Sequence, residues 1–178
     1  MFNLSNNKNK IVITDKIWLT EENKWQACVQ QVKNTKDTII AACFDDSSQK
    51  IETFFSRHDL PTDKIITARE FARNYIQNNE LIFAEHYPLQ FKEQELYEKL
   101  GLTKVTLYSS LDEPLFTHFG GDKISNLVKQ MGMKEDEAIE HALTSSIKNA
   151  QEKINSKVSF DQSSHSQADW FRKNLQSQ

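Results

Sequence analysis

Thr38-Ile39-Ile40-Ala41-Ala42-Cys43-Phe44 is a near-continuous apolar run, followed at once by Asp45-Asp46-Ser47. A strand buried on both faces of a parallel sheet reads this way, because helices cover both of its faces and leave neither polar. The acidic and hydroxyl residues after it are helix-capping types. They open a helix expected to carry Ile51, Phe54 and Phe55 inside, ended by His58-Asp59-Leu60-Pro61.

The pattern repeats outward from this unit. Lys10 to Leu19 is apolar and β-branched, which suits one or two short strands. Thr20, with Glu21 and Glu22 after it, caps a helix reaching about Asn34. Trp25, Cys28, Val29 and Val32 recur on it at i, i+3, i+4 and i+7. Downstream, Lys64 to Thr67 predicts a strand, Ala68 to Asn78 a helix, Leu81 to Ala84 a strand, Phe91 to Leu100 a helix and Lys104 to Ser109 the last strand. From Glu113 the chain reads helical, broken at Gly120-Gly121 and Gly132, and Ala142 to Val158 reads as a longer helix. Residues 1–9 read as a disordered leader and the Ser/Gln-rich residues 159–178 as a flexible polar tail. Strand and helix thus alternate through two-thirds of the chain, the signature of an α/β fold with a parallel sheet flanked by helices.

Bulk composition narrows the function. The net charge of −3 leaves no basic stripe for nucleic acid and no polybasic patch for a membrane surface. No run of about 18 apolar residues is present to span a bilayer. Residues 1–10 lack the apolar stretch of a secretory signal. The only cysteines, Cys28 and Cys43, sit in apolar contexts and read as reduced core thiols. A cytoplasmic location is expected. Phosphate-cradling loops need glycines so that backbone N–H groups can approach closely. The four glycines, Gly101, Gly120, Gly121 and Gly132, permit neither G-x-x-x-x-G-K-[ST] nor G-x-G-x-x-G.

His58, His86, His118, His141 and His165 lie far apart with no metal-ligand spacing, and read as ordinary structural residues. Glu135-Asp136-Glu137 with Glu140 reads as a solvated acidic run rather than a Mg²⁺ site, and Ser109-Ser110 has no paired base. Glu85-His86 is the best-placed polar pair. It follows a strand, and the carboxyl ends of parallel strands are where α/β sheets bind ligands. Both residues are therefore candidates for contact with a ligand or partner.

Three segments, in order, resemble SecA, the ATPase motor of bacterial preprotein translocation. Asp15 to Val32 is similar to the entry of its second nucleotide-binding domain, with an aromatic, a Thr-Glu pair and a Lys before an amphipathic helix. Leu107 to His141 is the most specific. Phe119-Gly120-Gly121-Asp122, Met131-Gly132-Met133 and Ile139-Glu140-His141 are similar to the family's F-G-x-D, L-G-M and I-E-H at the same intervals. Ile147 to Asp161 resembles the start of the family's long scaffold helix.

The resemblance implies a RecA-like fold, with residues 10–141 as the second motor domain and 142–158 as the start of the scaffold helix. It does not carry activity with it. The first motor domain has no counterpart, the G-R-G-T-D motif is missing, and the arginines of R-G-R-S-G-R fall on Tyr97, Lys99 and Leu102. Such arginines stabilise charge on a transferring phosphoryl group. A lysine lacks their planar fork, and Tyr and Leu carry no charge. Lys99 is left as a candidate nucleotide contact.

The expectation is a non-enzymatic interaction module linked to protein secretion. No cofactor is expected, except ATP through a site shared with another chain. A secretion-system component or a second copy is the expected partner, with Asp122, Lys123 and Lys129 as candidate contacts. Leu115, Phe116, Phe119, Ile124, Leu127 and Met131 are expected to cap one end of the sheet. An accessory subunit completing an ATP site, and a secreted effector on a borrowed fold, are the other readings.

Overall fold

The computed structural model describes residues 11–67, 70 and 79–175. Apart from Glu70, the helix expected over 68–78 lies outside the described residues, as does the leader over 1–9.

Among the described residues, six strands form one sheet in the order β3-β2-β4-β5-β1-β6. They are β1 (Val12–Trp18), β2 (Thr38–Ala42), β3 (Ile65–Thr67), β4 (Glu80–Phe83), β5 (Lys104–Ser110) and β6 (Ile139–Glu140). Every pairing is parallel except β1 with β6. All five residues of β2 are buried, as a central strand covered on both faces requires. β1 and β5 pair over their full length, Val12 opposite Lys104 through Trp18 opposite Ser110.

Side-chain alternation along the strands builds the two faces of the sheet. Ile40, Ala42, Ile82 and Tyr108 join Trp25, Cys28 and Val29 of α1 (Glu21–Asn34) and Ile51 and Phe55 of α2 (Asp45–Arg57) in one cluster. Ile39, Ala41, Phe83 and Leu107 turn the other way, against Tyr97 and Leu100 of α3 (Gln90–Leu100). A third cluster gathers Ile17, Leu19, Phe44, Leu89 and Leu111 with α4 (Pro114–His118), α6 (Thr144–Asn155) and α7 (Gln167–Leu175).

Local chemistry sets several boundaries. Thr20 accepts the Asn23 N–H at 3.3 Å and caps α1. Gly101 ends α3 in the left-handed conformation at φ 71, where a Cβ is costly. Gly121 opens α5 (Gly121–Gln130) against α4; a Cβ there would meet the Leu111 carbonyl oxygen at 2.5 Å.

The helical reading from Glu113 onward needs correction in four places. A short antiparallel strand, β6, interrupts it and extends the sheet past the strand expected to be the last. The helix expected over 142–158 is the shorter α6. The apolar residues of α5 that pack inward are Ile124 and Val128, so Leu127 and Met131, 57% and 77% exposed, do not cap the sheet, while Leu115 and Phe116 do. The largest correction concerns the expected flexible tail. Its Trp170-Phe171 pair supplies an apolar anchor that composition averaged over the segment hides. The chain turns back after α6 and packs α7 against the body, with Trp170 0% exposed.

A candidate functional site at the carboxyl edge of the sheet

Glu85 follows β4 at the carboxyl edge. Its Oε1 accepts the backbone N–H groups of Cys43 and Phe44 at 3.0 and 3.2 Å, and its Oε2 accepts the Ser47 hydroxyl at 2.7 Å. Phe44 is the N-cap position of α2 and offers no capping side chain. Asp45 and Asp46, expected to cap this helix, lie inside its first turn. The buried Glu85 carboxylate instead holds the two amides that lead into the helix and the Ser47 hydroxyl of its first turn. Burial raises the Glu85 carboxyl to about 7, a cost that the Lys24 charge and the donated hydrogen bonds only partly offset.

His86 lies between two carboxylates. Its Nδ1 is 2.9 Å from Glu93 of α3 and its Nε2 is 3.1 Å from Asp15 of β1. Both ring nitrogens face acceptors, so both donate, which requires the imidazolium. Burial opposes that charge, but Glu93 and Asp15 outweigh it and raise the pKa to about 10. The pairing is reciprocal. Burial works against the Asp15 charge, yet His86 and the Thr144 hydroxyl hold its carboxyl below the usual range. Gln151 of α6 donates to Glu93 at 3.0 Å and to the Tyr87 carbonyl at 2.8 Å.

A second ion pair lies beside the first. Lys24 of α1, only 1% exposed, donates to the Ala84 carbonyl at 2.8 Å and pairs with Glu113. Its ammonium also lies 3.8 Å from the Trp25 ring centroid. Glu113 accepts the Ser110 N–H at 3.0 Å, while burial raises its carboxyl above the ordinary value. Among the described residues, Glu113 Oε2 and Ser109 Oγ are buried without a protein hydrogen-bond partner.

The C-terminal segment completes the arrangement. Gln167 donates to the His86 carbonyl at 2.9 Å and accepts the Leu115 N–H at 2.8 Å. The His165 carbonyl accepts the Asp46 N–H of α2 at 3.1 Å. Asp161 accepts the Tyr87 hydroxyl at 2.8 Å and the Trp170 indole N–H at 2.7 Å.

The structure brings Glu85 and His86 together at this edge and leaves the other candidates elsewhere. Lys99 is exposed on α3. Tyr97 is buried against Phe83, and Leu102 packs on the same cluster. Asp122, Lys123 and Lys129 are exposed on α5, beside Leu127 and Met131. Glu135, Asp136, Glu137 and Glu140 are exposed, and Glu140 pairs with Lys16 at 3.2 Å. Among the described residues no three His, Cys, Asp or Glu side chains are placed to hold a metal ion, and no helix is long and apolar enough to cross a membrane.

Sequence reasoning missed Asp15, Lys24, Glu93, Glu113, Gln151 and Gln167. The available signal was periodicity. Lys24 adjoins the apolar stripe of α1, and Glu93 sits one turn before Tyr97 on the buried face of α3.

Part of the chain is similar to SecA protein translocase subunits. The SecA of Acidithiobacillus ferrooxidans (strain ATCC 53993 / BNL-5-31) is 55% identical over 51 residues, which cover 28% of this chain and 6% of that protein. SecA 1 of Alkaliphilus metalliredigens is 52% identical over 48 residues, 26% of this chain and 5% of that one. The SecA of Psychrobacter sp. (strain PRwf-1) is 49% identical over 51 residues, with 28% and 6% covered. The chain is thus SecA-related over about a quarter of its length, and the matched stretch is a small fraction of each relative. No family model matches the chain.

Proposed function

We propose that this chain is a non-catalytic, SecA-related protein-interaction module that acts in or beside a protein-translocation apparatus on the cytoplasmic side. The observation that carries the reading is the occupied carboxyl edge. Where open α/β sheets take their ligands, this domain places its own buried groups: Glu85 at the N-terminus of α2, His86 between Asp15 and Glu93, and the 161–175 segment across them. Tyr97, Lys99 and Leu102, which align with phosphate-contacting arginines, are dispersed between the core and the solvent. The mostly parallel sheet flanked by helices is consistent with a RecA-like fold. The translocase name of the relatives supports the setting, and the exposed α5 face supplies a surface.

Titration calorimetry with Mg·ATP and Mg·ADP tests the non-catalytic half. No saturable heat is expected at nucleotide concentrations up to about 1 mM, where a Kd would correspond to only about 4 kcal/mol of binding. Micromolar affinity would favour the other reading, a subunit that completes a shared ATP site.

The interaction half is tested on α5. Replacing Asp122, Lys123 and Lys129 together by Ala removes three exposed charges while leaving every buried contact, so stability is expected to change by less than about 0.5 kcal/mol per site. Cross-linking to purified translocase components should fall at least fivefold. An unchanged cross-linking yield from the folded triple variant would move the interface off this face.

A further inference from the structure

Four residues of α7 are buried: Gln167, Trp170, Phe171 and Asn174. Their spacing is i, i+3, i+4 and i+7, the anchor pattern of an amphipathic helix lying in a groove. Three of the four anchors meet the body of the domain. Trp170 and Phe171 enter the apolar cluster of Leu115, Phe116 and Ile147. Gln167 bonds two backbone groups of the body, and Asn174 bonds Gln162 and so ties the segment to itself. Asp169, Arg172 and Lys173 pair among themselves on the outer side.

The connection to the body is loose by comparison. Residues 158–164 carry no helix or strand, and Phe160 is 77% exposed. A nine-residue helix is too short to persist alone in water, so α7 is helical because it is docked. Beneath it, the two clusters that α1, α2 and α3 form on the faces of the sheet draw no residue from 161–175, and the end of β1 meets α7 only through Ile17 in the third cluster.

We propose that residues 161–175 are an intramolecular ligand: a helical latch seated in a peptide-docking groove of the domain, which opens while the sheet stays folded. The groove is the surface left by Leu115, Phe116, Ile147, Phe44 and Tyr87, and its occupant is this segment of the same chain. The proposal does not depend on the translocation reading, because it concerns only the chain's own contacts.

Cys43 reports on the latch. It lines a cleft of about 250 Å³ whose opposite wall is Asp161, Ser163 and Ser164 of the latch. Opening removes that wall. Cys28 lies on the other side of the sheet, fully buried, with burial raising its thiol to about 12, and serves as an internal control.

The test is maleimide labelling of the full chain at pH 8, read by mass spectrometry of the two cysteine peptides. Trp170→Ala is expected to label Cys43 at least tenfold faster than wild type while Cys28 stays unlabelled. An added synthetic peptide of residues 159–175 should slow Cys43 labelling again by refilling the groove. Gln167→Ala should give a smaller acceleration of the same kind. Unchanged Cys43 labelling in both variants, or Cys28 labelled in step with Cys43, would overturn the proposal, since the segment would then be an inseparable part of the core. Hydrogen exchange of the wild-type chain decides independently should Trp170→Ala not fold. Amides of 167–175 are expected to exchange at least tenfold faster than those of β2 and β4, and exchange in step with the sheet would overturn the latch.

Discussion

Lys24→Met is expected to destabilise the protein by about 3–5 kcal/mol, the usual consequence of removing one member of a buried ion pair. The substitution keeps the volume of the long side chain and the apolar packing on Trp25, so a cavity does not explain the loss. What remains is Glu113, 4% exposed, whose carboxylate would keep only the Ser110 donors. The Ala84 carbonyl loses its donor as well. Without the ammonium the Glu113 carboxyl, already raised by burial, moves further up. A folded-state pKa above the unfolded value means stability that is present at low pH and lost as pH rises through the folded pKa. The deficit of Lys24→Met should therefore grow from pH 5 to pH 8. The double variant Lys24→Met, Glu113→Leu should recover most of it, because an apolar pair replaces an ion pair without leaving a charge behind. Urea unfolding of the three proteins at both pH values measures this. A single-variant loss below about 1 kcal/mol, the size of an exposed pair, would contradict the burial of Lys24.

The other large effect belongs to His86. In His86→Leu the Asp15 and Glu93 carboxylates lose the cation between them, and destabilisation of about 3–5 kcal/mol is expected for the same reason. The wild-type pH dependence shows which group is responsible. His86 is raised from 6.5 to about 10, so the folded protein holds a proton that the unfolded chain releases above pH 6.5. Its contribution is complete below pH 6.5 and is lost as pH rises toward 10. At 1.36 kcal/mol per unit this limb is on the order of 5 kcal/mol. Glu85, raised from 4.5 to about 7, adds an earlier decline between those values. Asp15, held low, acts in the opposite direction: its contribution is present above the unfolded pKa and is lost as pH falls through the folded one. Thermal unfolding of wild type should weaken progressively from pH 7 to 9.5. In His86→Leu that alkaline limb should flatten, and an equally steep limb in the variant would assign it to other groups.

The sheet was legible in the sequence because its strands are short apolar runs set between amphipathic helices, and one residue of alternation assigns each side chain to a face. Glu85-His86 was legible for a topological reason: a polar pair directly after a buried strand must lie at the carboxyl edge. Its partners were not legible. Asp15 and Glu93 are separated from His86 by 71 and 7 residues; periodicity puts Glu93 on the buried face of its helix, but nothing local says that an imidazole meets it there. α7 was hidden for a different reason. Its helix depends on two aromatic anchors and two amides, and the amides count as surface residues in any compositional reading. β6 was missed because two residues of an edge strand carry no periodicity.

β1 is flanked in the sheet by β5 and β6, so this strand finds its neighbours roughly 90 and 120 residues later, Val12 opposite Lys104 and Lys16 opposite Glu140. Contacts of such separation require closure of long loops before they stabilise anything, which slows folding. During synthesis, at about 5–20 residues per second, β1 waits some seconds for β5 to leave the ribosome. Throughout that wait Ile17, Trp18 and Leu19, all buried at the end, have no sheet to join. β2, β3 and β4 lie closer together along the chain and can pair first. β1 therefore joins the sheet beside β5 only after residues 104–110 have been made, and β6 closes against it later still.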